Sequence, residues 1–470
     1  MNHFEYFSQD DLRQIHDSSL RVLESVGIDF LYEPAVDLLA KAGCKVDGSR
    51  VFFPPKLVDG QIAKAPSQFT LYARNAEKNV VVGGEHMAYV PCYGAPVVNN
   101  LDEGRRASTL NDFVNFVKLT HASFYQDITG GLMAEPNDIP IARRGAEMLY
   151  AAMRYSDKPF MGLTLGAEAA NESIAAASIV FGSQEQMAAK PPFICILCSL
   201  SPLSYDDRML GAMMTYARAG LPQLISSLSI AGATGPVTME GALVVQLAEI
   251  LAGITLVQLV REGTPVVIGG QSTSAAMRYG TLSIGAPEMA INTAATAQLA
   301  RFYNLPSRSG GALTDSKNCD SQAGSESMMG QLMSTLSGIN FVLHSAGILE
   351  TYMVASYEKF ILDDEICGMC KRIKAGENIT KERLAVDLIS QVGPGGEYLT
   401  HEHTFRNFRR EFYQPIIDER GTFGSWLKSG AISIERRANA KWKEILANYT
   451  EPGLPADVER DLRKFVDRII

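Results

Sequence analysis

The chain has 470 residues, of which 46% are hydrophobic and 20% charged, a balance that fits one large globular domain with extensions, or two domains. Its formal net charge of −9 argues against a nucleic-acid binder, which presents a basic surface. Seven cysteines are too sparse for a disulfide scaffold, the N-terminus "MNHFEYFSQDDLRQIHDSS" lacks a basic-then-apolar signal pattern, and no window runs to ~20 uninterrupted apolar residues. A reduced, cytoplasmic protein with no membrane span is expected.

The first predicted element is a Ser-capped helix in "SQDDLRQIHDSSLRVLESVGI", with Leu12, Ile15, Leu20, Val22 and Leu23 at helical spacing. The β-like pieces "VFFPP", "FTLYAR" and "KNVVVGG" follow, separated by Pro- and Gly-bearing turns. Residues 1–108 therefore read as an α+β cover. From about residue 109 short apolar runs alternate with longer helical ones. Strands are predicted in "QDITGGLM", "KPFMGLTL", "PPFICILCSL", "LPQLISSLSI", "TPVVIGGQ", "LPSRSGG" and "INFVLHSA". Helices are predicted at 138–155, 169–182, 204–219, 238–260, 286–303, 324–337 and 354–372. Repeated βα units mean parallel strands with crossover helices. Seven visible strands and an expected eighth point to a (β/α)8 TIM barrel over 109–375, followed by a helical C-terminal extension over 376–470. No βα turn carries a phosphate-binding glycine pattern, and "VGPGGEYL" follows a helix rather than a strand.

Two C-x-x-C pairs, "CILC" and "CGMC", contain four cysteines. Cys195 and Cys198 fall in a strand, where side chains three apart point to opposite faces, and Cys367 and Cys370 fall in a helix. They read as small packed hydrophobes rather than as a zinc site. The histidines do not cluster, and no nucleophile elbow is present. No metal site is expected.

Barrel enzymes keep their sites at the carboxyl ends of the strands. Polar residues fall there in several runs: Glu168, Ser227, Ser229, Gln271, Arg308 and His344. Any one alone reads as a structural hydrogen bonder, whereas several at one end point to a pocket. Arg308 and His344 become neighbours if the last two strands are adjacent, and together suit a carboxylate. Tyr93 in "VPCYGAP" and Tyr352 in "ILETYMV", next to Glu350, offer aromatic faces to a quaternary ammonium, with core packing as the alternative.

Four segments carry a family resemblance: "GAPVVNNLDEGRRASTLNDFVNFVKL", "LTDSKNCDSQAGSESMMGQLMSTLSGINFVLHSAGILE", "ASYEKFILDDEI" and "HTFRNFRREFYQPIIDER". Together they resemble the trimethylamine methyltransferase family across nearly the whole chain. Members of its archetype carry pyrrolysine in the loop corresponding to about Gln322–Glu326, where this chain reads "QAGSE". The resemblance therefore implies the non-pyrrolysine branch. Its members move a methyl group from a quaternary amine such as glycine betaine, proline betaine, carnitine or γ-butyrobetaine to the Co(I) corrinoid of a partner protein. It implies no tightly bound cofactor, a homo-oligomer, and a mouth loop containing Gln322, Gly324 and Glu326. In this reading the polar stretch 307–327 lines the mouth, and Gly310, Gly311, Ala312, Ala323 and Gly324 leave room for the corrinoid face. The competing readings are a non-catalytic quaternary-amine-binding barrel and a barrel lyase or hydrolase.

Overall fold

The computed structural model describes residues 2–469. Its centre is a parallel sheet of seven strands: β1 (Ala88–Val90), β2 (Phe160–Met161), β3 (Phe193–Cys198), β4 (Gln223–Ser227), β5 (Val266–Gly270), β6 (Ser307–Arg308) and β7 (Phe341–Leu343). The spatial order is β1-β7-β6-β5-β4-β3-β2. Each strand from β3 onward thus lies beside its predecessor, as successive parallel βα units do. Between β1 and β2 runs the segment 126–130. Its Asp127 N–H donates to Tyr89 O and its Thr129 N–H to Pro159 O, both at 2.8 Å.

Both faces of the sheet are buried, so the strands read as continuous apolar runs rather than alternating ones. Ala88, Val90, Met161, Ile194, Ile196, Leu224, Val267, Phe341 and Leu343 share one apolar cluster with Ile128. Residues of opposite parity, such as Phe193, Cys195, Leu197, Ile225 and Ile268, pack in a second cluster with the helices.

Eight helices alternate with these segments: α1 (Leu110–Ala122), α2 (Ile141–Tyr155), α3 (Ala167–Phe181), α4 (Asp207–Ala219), α5 (Met239–Val260), α6 (Pro287–Phe302), α7 (Ser321–Ser337) and α8 (Tyr357–Ala375). Local chemistry sets their ends. Thr109 and Asp112 form a capping box on α1, and Asp320 caps α7 by accepting from Ala323 N–H. Among the described residues, helix α5 is the one helix long and apolar enough to cross a membrane by length and composition. Here it is a core helix, and its buried Glu249 accepts from Ser201, Ser227 and the Leu203 N–H at 2.6–2.7 Å.

The structure corrects two expectations. Strand β1 belongs to the central sheet although it lies within 1–108, the segment expected to be a separate cover. Gln322, Gly324 and Glu326 lie not in a loop but in the first two turns of α7. Only 309–320 is loop, and 309–314 are fully buried.

Candidate functional site

One register row crosses four strands at the carboxyl end of the sheet. Cys198 pairs with Ser226, Ser226 with Gly269, and Gly269 with Arg308. In a parallel sheet such partners point the same way, and the parity of Ile194, Ile196 and Leu224 fixes that direction as inward. Gly269 gives the row its shape. A Cβ there would press on the Ile225 carbonyl and the Ser226 backbone at 2.8–3.0 Å. With no side chain between them, the Arg308 guanidinium reaches Ser226 Oγ at 3.3 Å.

Arg308 is 2% exposed, yet no carboxylate pairs with it among the described residues. Its Nε has no partner either. Burial pushes its pKa down, while Tyr352 and Cys198 act the other way. The neighbouring strand supplies His344, whose Nδ1 is also unpartnered. Burial, and then the Arg308 charge, hold that imidazole well below its usual pKa, so it is neutral. The Tyr352 ring lies 4.8 Å from the His344 ring. Gln271 Nε2 donates to the Tyr352 hydroxyl at 2.8 Å, which leaves that hydroxyl's own proton free to donate elsewhere. Gln271 Oε1 is the third buried polar atom here without a partner.

Cys198 marks the space these groups face. It keeps accessible surface, yet desolvation raises its thiol pKa, a combination expected of a group on an enclosed hollow. Arg308, Tyr352 and Tyr93 all lie within electrostatic reach of it. Tyr93 lies three residues past the end of β1, so it comes from the loop that follows a sheet strand rather than from a separate layer. Burial pushes its hydroxyl up to about 12.

Backbone strain concentrates beside the site. Among the described residues eight non-glycine residues have positive φ, and four of them are His344, Glu350, Thr351 and Tyr352. Such conformations persist only where surroundings hold them. Thr351 Oγ1 donates to Asp315 at 2.6 Å, and the Glu350 and Thr351 N–H groups donate to Ser316 O and Thr314 O. Asp315 also accepts from Ile284 and Gly285 N–H, tying three loops together. Hence the polarity of 307–327 is largely spent on binding loops to one another.

The expected residues divide accordingly. Arg308, His344, Tyr352, Gln271 and Tyr93 come together. Glu350 turns away to pair with Arg105 at 3.2 Å. Glu168 lines a separate cavity with Arg144 and Leu165, while Ser227 and Ser229 bond to Glu249 and Ser272. Glu326 accepts from Thr314 Oγ1 and from Asp315 N–H at 2.9 Å, bracing the loop rather than facing the hollow. Gly310 and Gly311 open no space: added Cβ atoms would strike Ser334 and the Leu343 carbonyl. Cys195 is buried as expected, but Cys198 is not. Ser226 was not foreseen.

The family model "Trimethylamine methyltransferase (MTTB)" matches residues 1–469. The chain is 47% identical over 463 residues to glycine betaine methyltransferase of Desulfitobacterium hafniense (strain Y51), covering 98% of this chain and 96% of that protein. It is 32% identical over 485 residues to the proline betaine:corrinoid methyltransferase of Eubacterium limosum, covering 98% and 97%. The crystal structure of the Methanosarcina barkeri monomethylamine methyltransferase (MtmB) superposes with a TM-score of 0.57 at 12% identity, over 94% of this chain and 89% of that one, a likeness of fold. The chain belongs to the trimethylamine methyltransferase family.

Proposed function

We propose that this protein moves a methyl group from glycine betaine to a corrinoid carried by a partner protein. The observation that carries the reading is the buried Arg308 guanidinium, which has no carboxylate of its own and has a neutral His344 and the Tyr352 hydroxyl beside it. A betaine carboxylate supplies the missing partner, held by a guanidinium fork and the two further donors. Its ammonium, which has no N–H to donate, takes the faces of Tyr93 and Tyr352. The names of the two betaine-specific relatives support the same substrate class.

The partner's reduced corrinoid supplies the cobalt nucleophile that accepts the methyl group. The N–CH3 bond breaks and its electron pair stays on nitrogen, so the amine leaves neutral and no proton is required of the protein. The residues of this chain hold one N–CH3 in line and exclude water, which is catalysis by positioning. The carboxyl-end loops fit a docking partner: Leu165, Leu200, Val237, Met277, Tyr279 and Met353 follow successive strands and are exposed.

In this reading the segment 126–130 is the eighth stave that closes a (β/α)8 barrel, since its backbone bonds reach both edge strands. The barrel then begins at β1 rather than at residue 109. All seven cysteines are free thiols, five of them buried, which supports a reducing cytoplasmic setting. The test is incubation with a reduced corrinoid protein and a panel of betaines, following the corrinoid absorbance. Turnover of glycine betaine that disappears in Arg308→Met supports the reading, and turnover that survives the substitution overturns it.

A further inference from the structure

Tyr352 sits at the tip of a hairpin. Ile348–Leu349 pairs antiparallel with Val354–Ser356, which leaves 350–353 as the turn between them. Three successive residues of that turn are left-handed: Glu350 at φ 49°, Thr351 at 52° and Tyr352 at 75°. Thr351 is the least suited of the three, because a β-branched side chain crowds the backbone at positive φ. No glycine or asparagine stands in the turn to take that conformation cheaply. Its shape is therefore held from outside. What holds it is 314–316 of the loop after β6. Glu350 N–H donates to Ser316 O at 3.0 Å and Thr351 N–H to Thr314 O at 3.1 Å. Between them, Thr351 Oγ1 donates to the Asp315 carboxylate at 2.6 Å. The same carboxylate accepts from the Ile284 and Gly285 N–H groups at 3.0 and 3.1 Å. Those groups end the segment that begins with Gln271, whose amide meets the Tyr352 hydroxyl. One carboxylate thus fixes both the backbone before Tyr352 and the far end of the segment that carries its hydroxyl partner. Helix α7 closes the brace from behind, where Glu326 accepts from Asp315 N–H and Gln322 Nε2, each at 2.9 Å. Gly285 leaves room for that carboxylate, which an added Cβ would strike.

We propose that Asp315, acting through Thr351, is a positioning residue that aims the Tyr352 ring face at the substrate's ammonium and so sets the selectivity for a positively charged head group. The proposal rests on the betaine reading of the hollow. Asparagine at this position offers one acceptor oxygen to three donors, so either the Thr351 hydroxyl or a loop N–H loses its partner. The left-handed turn then relaxes, and the ring leaves its place over the ammonium. The carboxylate anchor is held separately, since Arg308 leans on Ser226 of β4. Loss of Asp315 therefore weakens the grip on the ammonium end of the substrate and leaves the grip on the carboxylate end.

The test uses two ligands of one shape. The carbon analogue tert-butylacetate carries a neutral tert-butyl group where glycine betaine carries trimethylammonium, and both have the same carboxylate. The ratio of their dissociation constants, measured by calorimetry on the full chain, reads the ring face and cancels the carboxylate anchor. Wild type should favour betaine by roughly 5-fold to 30-fold. Asp315→Asn and Thr351→Ala should each lower that preference by roughly 3-fold or more, toward the value for Tyr352→Leu. Thr351→Ser keeps the hydroxyl and should keep the preference. Thr351→Ala removes the β-branch that the left-handed backbone disfavours, which offsets the lost bond, so its circular dichroism should match wild type and its lost preference is not lost folding. A preference unchanged in Asp315→Asn and Thr351→Ala, or lost equally in Thr351→Ser, overturns the proposal and leaves the betaine reading standing. A wild type that binds both ligands equally, or neither, overturns the betaine reading itself and the proposal with it.

Discussion

Replacing Arg308 by methionine separates a binding role from a structural one. The guanidinium is buried with a single protein hydrogen bond, 3.3 Å to Ser226 Oγ, and no carboxylate within the chain pairs with it among the described residues. A buried charge in that state destabilises the ligand-free protein, and an apolar side chain of similar length removes the burden at the small expense of that one bond. Swaps of this kind stabilise by ~1–4 kcal/mol, so we take about 2 kcal/mol for Arg308→Met. In a chain of this length that is a rise of a few degrees in Tm at most. Binding moves the opposite way. Loss of the fork leaves a betaine carboxylate facing neutral donors only, which costs about 3–5 kcal/mol and weakens binding by roughly 100-fold to 1,000-fold or more. The assay is thermal unfolding with and without glycine betaine. Wild type should melt lower than Arg308→Met without ligand and should gain stability with betaine, whereas the variant should not respond. A variant that melts lower than wild type, or that still responds to betaine, refutes the reasoning, because Arg308 would then be structural or not the anchor.

Gln271→Met removes the donor that orients the Tyr352 hydroxyl; KM for betaine should rise about 5–10-fold, a neutral hydrogen bond being worth about 1 kcal/mol, and an unchanged KM would show that the hydroxyl is held by other means. Cys198 is the open thiol on the hollow, so slow alkylation there should be suppressed by saturating betaine; equal labelling with and without substrate would place the substrate elsewhere. Stability should fall as pH drops below 6.5. Burial holds His344 well below that value and His121 at about 4, so the unfolded chain takes up protons that the folded chain refuses. Each histidine contributes roughly 1.4 kcal/mol per pH unit below its unfolded value, His121 until about pH 4, and urea midpoints at pH 7.5 and 5.5 measure the loss. The combined replacement of both histidines by glutamine should flatten that slope, and a slope that survives would assign it to other groups.

The helices were legible because their signals are long: 286–303 was expected where α6 spans Pro287–Phe302. Strand β1 was not, since three residues carry no periodicity and lie among other short β-like pieces. The α7 boundary was missed because its cap, Asp320, is one of a run of polar residues, and Gly324 and Gly330 weaken the helical pattern inside it. In the site, Arg308 and His344 stood out as charged or titratable residues ending apolar strands. Ser226 did not, because in "SSLS" nothing local tells which serine faces inward; the register with Cys198 and Gly269 decides that. The same row explains the misjudged Cys198, since a cysteine at the end of an apolar strand reads as one more small hydrophobe. Glu350 was misplaced because its left-handed backbone turns it toward Arg105, a direction that sequence spacing does not carry.

The most direct test of the central claim compares methyl donors in one assay. Glycine betaine, dimethylglycine and trimethylamine are each offered with a reduced corrinoid protein, and the corrinoid absorbance is followed. The quaternary amine gives up a methyl group and departs as a neutral tertiary amine, whereas an unprotonated tertiary amine would have to expel a far more basic amide anion. Glycine betaine should therefore react while the other two react negligibly. Rapid turnover of trimethylamine, or none of glycine betaine, would contradict the account.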